Sequence, residues 1–179
     1  TVLCLSLLVV LPFAMMAAKA GEIGWTAFWQ TISEPNVLAA VWLSLRMSFY
    51  AMLTNIVFGT LVAWVLVRYE FPGKNLVNAL VDLPFALPTA VTGIALATLY
   101  APNGWLGRWF APFDIKIAFT PIGIWIALVF VSLPFIVRAV QPVLEELPAE
   151  YEEAAATLGA GRFTAMCRVL LPEIMPALL

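Results

Sequence analysis

Residues 153–172 read EAAATLGAGRFTAMCRVLLP, and the spacing of this stretch is the most informative feature of the chain. It consists of Glu-Ala-Ala, three residues, Gly159, nine residues, Val169, one residue, and Leu171-Pro172. An ordinary acidic surface helix would not need several residue types at fixed offsets. We therefore interpret the stretch as a functional motif.

The first half of the motif predicts a short helix that ends at glycine. Pro148 suits a first helical turn, and negative charge follows it where a helix dipole is positive. Three alanines then favour the helix and leave its surface open to close approach by another protein. Gly159 and Gly161 are predicted to end it, because glycine adopts the left-handed conformation that closes the last carbonyls. The acidic residues are Glu150, Glu152 and Glu153.

The second half of the motif predicts another short helix. Phe163, Met166, Val169 and Leu170 recur at helical spacing and form an apolar stripe. Pro172 is expected to end this helix, since proline lacks the N–H that the next turn requires. The predicted unit is helix, glycine turn, helix.

The composition indicates a polytopic membrane protein. Hydrophobic residues make up 63% of the 179 residues and charged residues only 11%, and the mean hydropathy is +0.98. Soluble domains contain about 45–50% apolar residues. The nine basic residues are scattered, so we expect no nucleic-acid partner. The chain has no histidine, which argues against a metal site and against an intramembrane enzyme.

Long apolar segments predict an all-α fold with several membrane-spanning helices. A signal peptide is an alternative for the first segment, but no basic residues precede its apolar core. Each segment is long enough to cross a bilayer. A further segment begins at residue 174 without closing, so we expect the parent protein to continue through additional spans. The predicted spans are residues 1–18, 39–67, 76–100 and 118–137, and the loop covers residues 138–173.

A few polar residues interrupt the predicted spans. Arg46 is expected within the first two turns of its helix, where it could snorkel to the surface or face an aqueous path. Asp82 could cap a helix that begins at Leu83, and prolines after it predict a break near the start of the third span. Thr89 and Thr92 give that helix a small, polar edge, which suits either close packing or a transport path.

The motif resembles the EAA loop of bacterial ABC importer permeases. Residues 82–100, DLPFALPTAVTGIALATLY, and residues 101–107, APNGWLG, are similar to the T-type permease subunit of sulfate/thiosulfate importers. The resemblance covers essentially the whole chain. It implies a type I ABC importer permease fold, a multi-pass position in the bacterial inner membrane, and a translocation path for sulfate or thiosulfate.

The resemblance also implies partners and a docking site. A second, W-type permease would pair with the chain in the lipid bilayer, and a periplasmic sulfate-binding protein would deliver the anion. ATPase subunits would hold ATP and Mg²⁺, while this chain would bind no cofactor and catalyse no reaction. The residues implied to dock on the ATPase are Glu153, Ala154, Ala155, Gly159, Val169, Leu171 and Pro172. Arg46, Thr89 and Thr92 are candidates for the path.

Three alternatives stay open. One is a structural or signalling membrane protein, which would not need the fixed spacing of the motif. Permeases for molybdate, tungstate and other oxyanions share the Leu-Pro-rich third span, so the anion is less specific than the class. A secondary transporter would need carboxylates at mid-membrane to bind coupling ions. Asp82 is the only acidic residue in any predicted span and lies near an end, which disfavours that class.

Overall fold

The computed structural model describes residues 2–22, 24–148 and 150–178, without the side chains of residues 2–7, 20, 22, 162–163 and 177–178. Every regular element in these residues is helical. The α-helices are α1 Val2–Glu22, α2 Trp25–Ile32, α3 Pro35–Arg68, α4 Lys74–Ala86, α5 Thr89–Tyr100, α6 Gly107–Phe110, α7 Pro121–Glu146, α8 Glu150–Thr157, α9 Arg162–Ala165 and α10 Leu171–Leu178. A 3₁₀ turn covers Ala111–Phe113 and a π turn covers Met166–Leu170.

The chain forms two compact units, residues 1–45 and residues 46–179. The first contains α1, α2 and the start of α3. The predicted span 1–18 falls in α1, but Thr1 and the side chains of residues 2–7 lie outside the described part of the chain. In α2, the ring of Trp25 stacks on Phe28 and meets Trp29 edge-on, because helical spacing brings the three aromatic residues together.

Among the described residues, α3 and α7 are each long and apolar enough to cross a membrane. The pair α4 and α5 also qualifies if the two helices form one broken span. The described apolar part of α1, Leu8–Lys19, is shorter.

The predicted break in the third apolar segment is confirmed, and it is sharper and later than expected. It lies at Leu87–Pro88, in the middle of the segment, where α4 and α5 meet at 113°. Leu87 has an extended backbone, with φ −95° and ψ 130°, because a following proline disfavours the helical conformation. Pro84, the first of the prolines that follow Asp82, does not break the chain and is accommodated inside α4.

A tight turn built on glycine follows α5. An added Cβ at Gly104 would lie 2.3 Å from the carbonyl oxygen of Thr98, and one at Gly107 would lie 1.8 Å from that of Ala101. The obstructing atoms are backbone, so no side-chain movement could make room for a larger residue. The APNGWLG segment therefore depends on glycine at both positions.

The core of the second unit lies between α3, α4, α7 and the segment 166–174. The sequence predicted that the fourth span ends near residue 137. The helix α7 instead continues to Glu146. Its added turns bury Val140 and Leu144, at helical spacing from Val137, so packing extends the helix into the predicted loop. The buried apolar residues are Ala63, Leu66, Val81, Val137, Val140, Leu144, Met166, Leu170 and Ile174.

Polar contacts also join α3 to α7, at positions outside the buried apolar cluster. Asn55 is 1% exposed, and its amide nitrogen donates to the carbonyl oxygen of Val129 at 3.1 Å and to the Ser132 hydroxyl at 2.7 Å. Gly59 lets the helices approach, since an added Cβ would lie 2.8 Å from Ile136. These contacts fix the register of α3 on α7.

Candidate functional site

The helix α8 carries the Glu-Ala-Ala part of the motif and ends in a glycine cap. Gly159 has φ +83°, so the predicted left-handed conformation is confirmed. The amide of Ala160 donates to the carbonyl of Ala155 at 3.0 Å, and that of Gly159 to the carbonyl of Ala156 at 2.9 Å. These two bonds define a Schellman motif, which satisfies carbonyls that would otherwise lack partners.

Only one of the two glycines takes that conformation. Gly161 lacks the positive φ that Gly159 has, and its carbonyl accepts from the amide of Ala165, the last residue of α9. The prediction that both glycines end α8 is therefore wrong for Gly161. One left-handed residue suffices to reverse the chain direction after a helix.

The outer face of α8 is open to a partner. Glu153 and Ala154 are exposed, and Ala155 is half-buried. Glu153 makes no ion pair or side-chain hydrogen bond with another described residue. Leu158, next to the cap, is 89% exposed. A carboxylate and small side chains thus lie on one short helix, and an exposed leucine directly follows it.

The second half of the motif belongs to the core instead. Leu170 is fully buried, and Val169 and Leu171 are half-buried. The spacing of the motif therefore reflects two demands: an open first helix, and a second segment that fixes it to the protein. The side chain of Phe163, predicted in the apolar stripe, lies outside the described residues, whereas Met166 is buried as expected.

Pro172 does not end this segment, contrary to prediction. The chain stays helical from Arg162 to Leu178, through the π turn that directly precedes α10. In that turn the amide of Leu171 donates to the carbonyl of Met166, five residues back. The wider turn relieves the clash between a proline ring and the carbonyl four residues earlier, so the helix continues past Pro172.

Arg68, at the end of α3, bridges two segments near the motif. Its Nε donates to Glu152 Oε1 at 2.6 Å, and a terminal guanidinium nitrogen donates to the carbonyl oxygen of Leu147 at 2.9 Å. The side chains of Arg68 and Glu152 are only 16% and 23% exposed. Sequence reasoning missed this bridge, because the residues lie 84 positions apart and no local pattern relates them.

The prediction that Asp82 caps a helix is wrong. It lies inside α4, and Arg138 of α7 donates to both of its carboxylate oxygens. Arg138 also donates to Gln141 Oε1 at 2.6 Å. The surrounding acceptors satisfy the guanidinium, so this cluster joins α4 to α7 and presents no free cation.

The three candidate path residues, Arg46, Thr89 and Thr92, do not form one cluster through hydrogen bonds or ion pairs. Arg46 is the twelfth residue of α3, because α3 begins earlier than predicted, so the expected position within the first two turns is wrong. Its Nε donates to the Tyr50 hydroxyl at 3.2 Å. Thr89 is exposed at the start of α5, while Thr92, one turn on, is 4% exposed.

Curated relatives match nearly the whole chain. It is 51% identical over 178 residues to the sulfate transport system permease protein CysT of Escherichia coli, and 49% identical over 179 residues to that of Salmonella typhimurium. A third CysT, from Synechocystis, is 52% identical over 172 residues. These alignments cover 99%, 100% and 96% of the chain, but the chain spans only 64%, 65% and 60% of the respective relatives.

Solved structures match the fold. One is a bacterial ABC transporter that imports the acidic polysaccharide alginate, with a TM-score of 0.73 and 18% identity, over 98% of this chain and 66% of that one. Another is a bacterial alginate ABC transporter in complex with a periplasmic protein that holds an alginate pentasaccharide, with a TM-score of 0.72 and 19% identity. The likeness establishes an ABC importer permease fold.

A protein-family model accounts for most of the second unit. The model describes the binding-protein-dependent transport system inner membrane component, and it matches residues 55–179, which include α4, α5, α7 and the whole motif. The apolar helices agree with an integral membrane protein. On this evidence the chain belongs to the family of binding-protein-dependent transport system inner membrane components.

Proposed function

We propose that this chain is part of the membrane-spanning permease subunit of an ATP-driven importer for sulfate or thiosulfate, in a bacterial inner membrane. The observation that carries the proposal is the motif. Its first half is exposed on a capped helix, and its second half is packed into the core. The identity to CysT proteins, near 50% over almost the whole chain, supports sulfate as the substrate class.

The proposed partner at α8 is an ATPase subunit that binds ATP and Mg²⁺. Glu153 would meet a basic group there, while Ala154 and Ala155 let the two backbones approach. Gly159 holds the helix end, and Val169 and Leu171 support it from the inner segment, where Pro172 is exposed to a partner. When two ATPases close around ATP, movement of α8 would rock the permease helices and alternate access between the two sides.

Two further partners complete the proposed importer. A second, W-type permease would complete the translocation path, and a periplasmic sulfate-binding protein would deliver the anion. The complex of the alginate transporter with a periplasmic protein that holds an alginate pentasaccharide is a precedent for binding of a periplasmic protein to this fold. Arg46 and Thr89 are exposed and are proposed to contribute to the path. Thr92 is buried, so it could contribute only if α5 moves.

Uptake of radiolabelled sulfate tests the function. The full-length protein would be expressed with its ATPase, second permease and binding protein in cells that lack sulfate uptake. We expect uptake that requires ATP hydrolysis and the binding protein and that persists when an uncoupler removes the proton gradient. Uptake that depends on the gradient would instead indicate a secondary transporter. Stronger competition by molybdate or tungstate than by thiosulfate would assign another oxyanion.

A further inference from the structure

Few contacts hold α8 in position. None of its described residues is buried, and its main packing neighbours are α9 and the π turn. Its far end is a glycine turn. A helix held this way can change its angle without disturbing the core, unless another contact fixes the end where it begins.

Arg68 provides that contact. Its two hydrogen bonds reach Glu152 in the first turn of α8 and the carbonyl of Leu147, which directly follows α7. A cation suits this place, because the C-terminal ends of α3 and α7 carry partial negative charge and Glu152 adds a full one. The planar guanidinium can serve both acceptors at once, which a lysine cannot do with the same geometry.

We propose that Arg68 is a positioning residue that transmits movement of α8 to α3, an inference that rests on the proposed function. Glu152 and Glu153 then have separate tasks. Glu153 faces outward to the ATPase, whereas Glu152 faces inward to Arg68. The part of α3 in the second unit, residues 46–68, is about 34 Å long. A displacement at its end would therefore be carried across a distance comparable to a bilayer core of about 30 Å.

Transport per ATP hydrolysed tests the inference in the full-length importer. Arg68→Gln should leave membrane insertion, ATPase association and ATP hydrolysis in place, while sulfate uptake per ATP falls roughly twofold to thirtyfold. Arg68→Lys should restore part of the ratio, since it can still pair with Glu152. Lys74→Gln is the matched control, because it removes one positive charge from an ion pair with the exposed Glu70 and should leave the uptake ratio unchanged.

Distance measurements test the same inference without transport. Spin labels on Val65→Cys in α3 and Thr157→Cys in α8, with native cysteines replaced, should give a narrow distance distribution that Arg68→Gln broadens. An unchanged distribution or an unchanged uptake ratio would overturn the proposal, as would loss of ATPase association together with uptake. Absence of ATP-dependent sulfate uptake in the unmodified importer, with the label distances behaving as expected, would reject only the proposed function.

Discussion

The guanidinium of Arg138 faces the carboxylate of Asp82 in parallel, with Nε 2.8 Å from Oδ1 and a second nitrogen bonded to Oδ2. The two residues lie 56 positions apart and connect α7 to the first half of the broken pair α4 and α5. An unpaired charge beside apolar helices is costly, whereas a bidentate pair fixes both position and angle. The pair therefore helps to hold α4 on α7, together with the burial of Val81 in the core.

Breaking the Asp82–Arg138 pair should loosen α4. Asp82→Asn and Arg138→Gln should each lower the Tm of the purified protein by about 2–4 °C, the shift that one ordinary interaction produces in a domain of this size. Thermal unfolding in detergent measures the change. The exchanged variant, Asp82→Arg with Arg138→Asp, should recover part of the loss. Single variants that both unfold at the unmodified Tm, or an exchanged variant that recovers none of their loss, would contradict the role given to the pair.

Gly159 should be sensitive to substitution and Gly161 should not. Nothing lies within 4 Å of an added Cβ at either position, so only backbone conformation distinguishes them. Gly159→Ala should cost about 1–2 kcal/mol in the left-handed cap, and Gly159→Asn less. Hydrogen exchange of the α8 amides would reveal the difference as faster exchange in Gly159→Ala. Equal exchange in the Gly159 and Gly161 alanine variants would refute the assignment of the cap.

Glu153 should be needed for association with the ATPase. We expect Glu153→Lys to cost about 2–5 kcal/mol of binding free energy, because a buried interfacial charge would meet a like charge. Co-purification of the ATPase and sulfate uptake should both be lost, while the permease stays inserted. Glu146→Lys changes an exposed acidic residue outside the motif and serves as the control. Retained association in Glu153→Lys would exclude the proposed docking contact.

Gly107 should be needed for folding of the turn after α5. Gly107→Ala places a methyl group against the Ala101 carbonyl, and such overpacking costs about 1–3 kcal/mol or more. Lower yield and lower Tm of the purified protein would report it. Gly93→Ala, where an added Cβ meets nothing, should be neutral or slightly stabilising. A stable Gly107→Ala protein would mean that the turn has another conformation.

Arg46 tests whether the exposed part of α3 faces the path. If it does, Arg46→Leu should lower sulfate uptake without affecting insertion, because an attractive charge for the anion is lost. Tyr50→Phe removes only the hydrogen bond to Arg46 and should retain uptake. Normal uptake in Arg46→Leu would assign the side chain to snorkelling at the membrane surface.

Local features of the chain could be predicted from the sequence. The apolar segments correspond to helices, Pro88 breaks one of them, and Gly159 ends α8, because each effect acts within a few residues. Features that depend on distant partners could not. From the sequence Asp82 was interpreted as a helix cap, but in the structure it pairs with Arg138 of a distant helix. Pro172 was interpreted as a helix end, but the preceding π turn accommodates it within a helix. The continuation of α7 to Glu146 likewise follows from packing against distant residues.

The Asn55 amide has a consequence for biosynthesis. Its two acceptors, Val129 and Ser132, are 74 and 77 residues further along the chain. At about 5–20 residues per second, the ribosome needs roughly 4–15 s to make them after it has made Asn55. During that interval α3 must enter the membrane with a polar group that α7 cannot yet satisfy. A pause or a shielding partner at the insertion machinery would therefore favour correct assembly, and the timing of synthesis becomes part of how this protein folds.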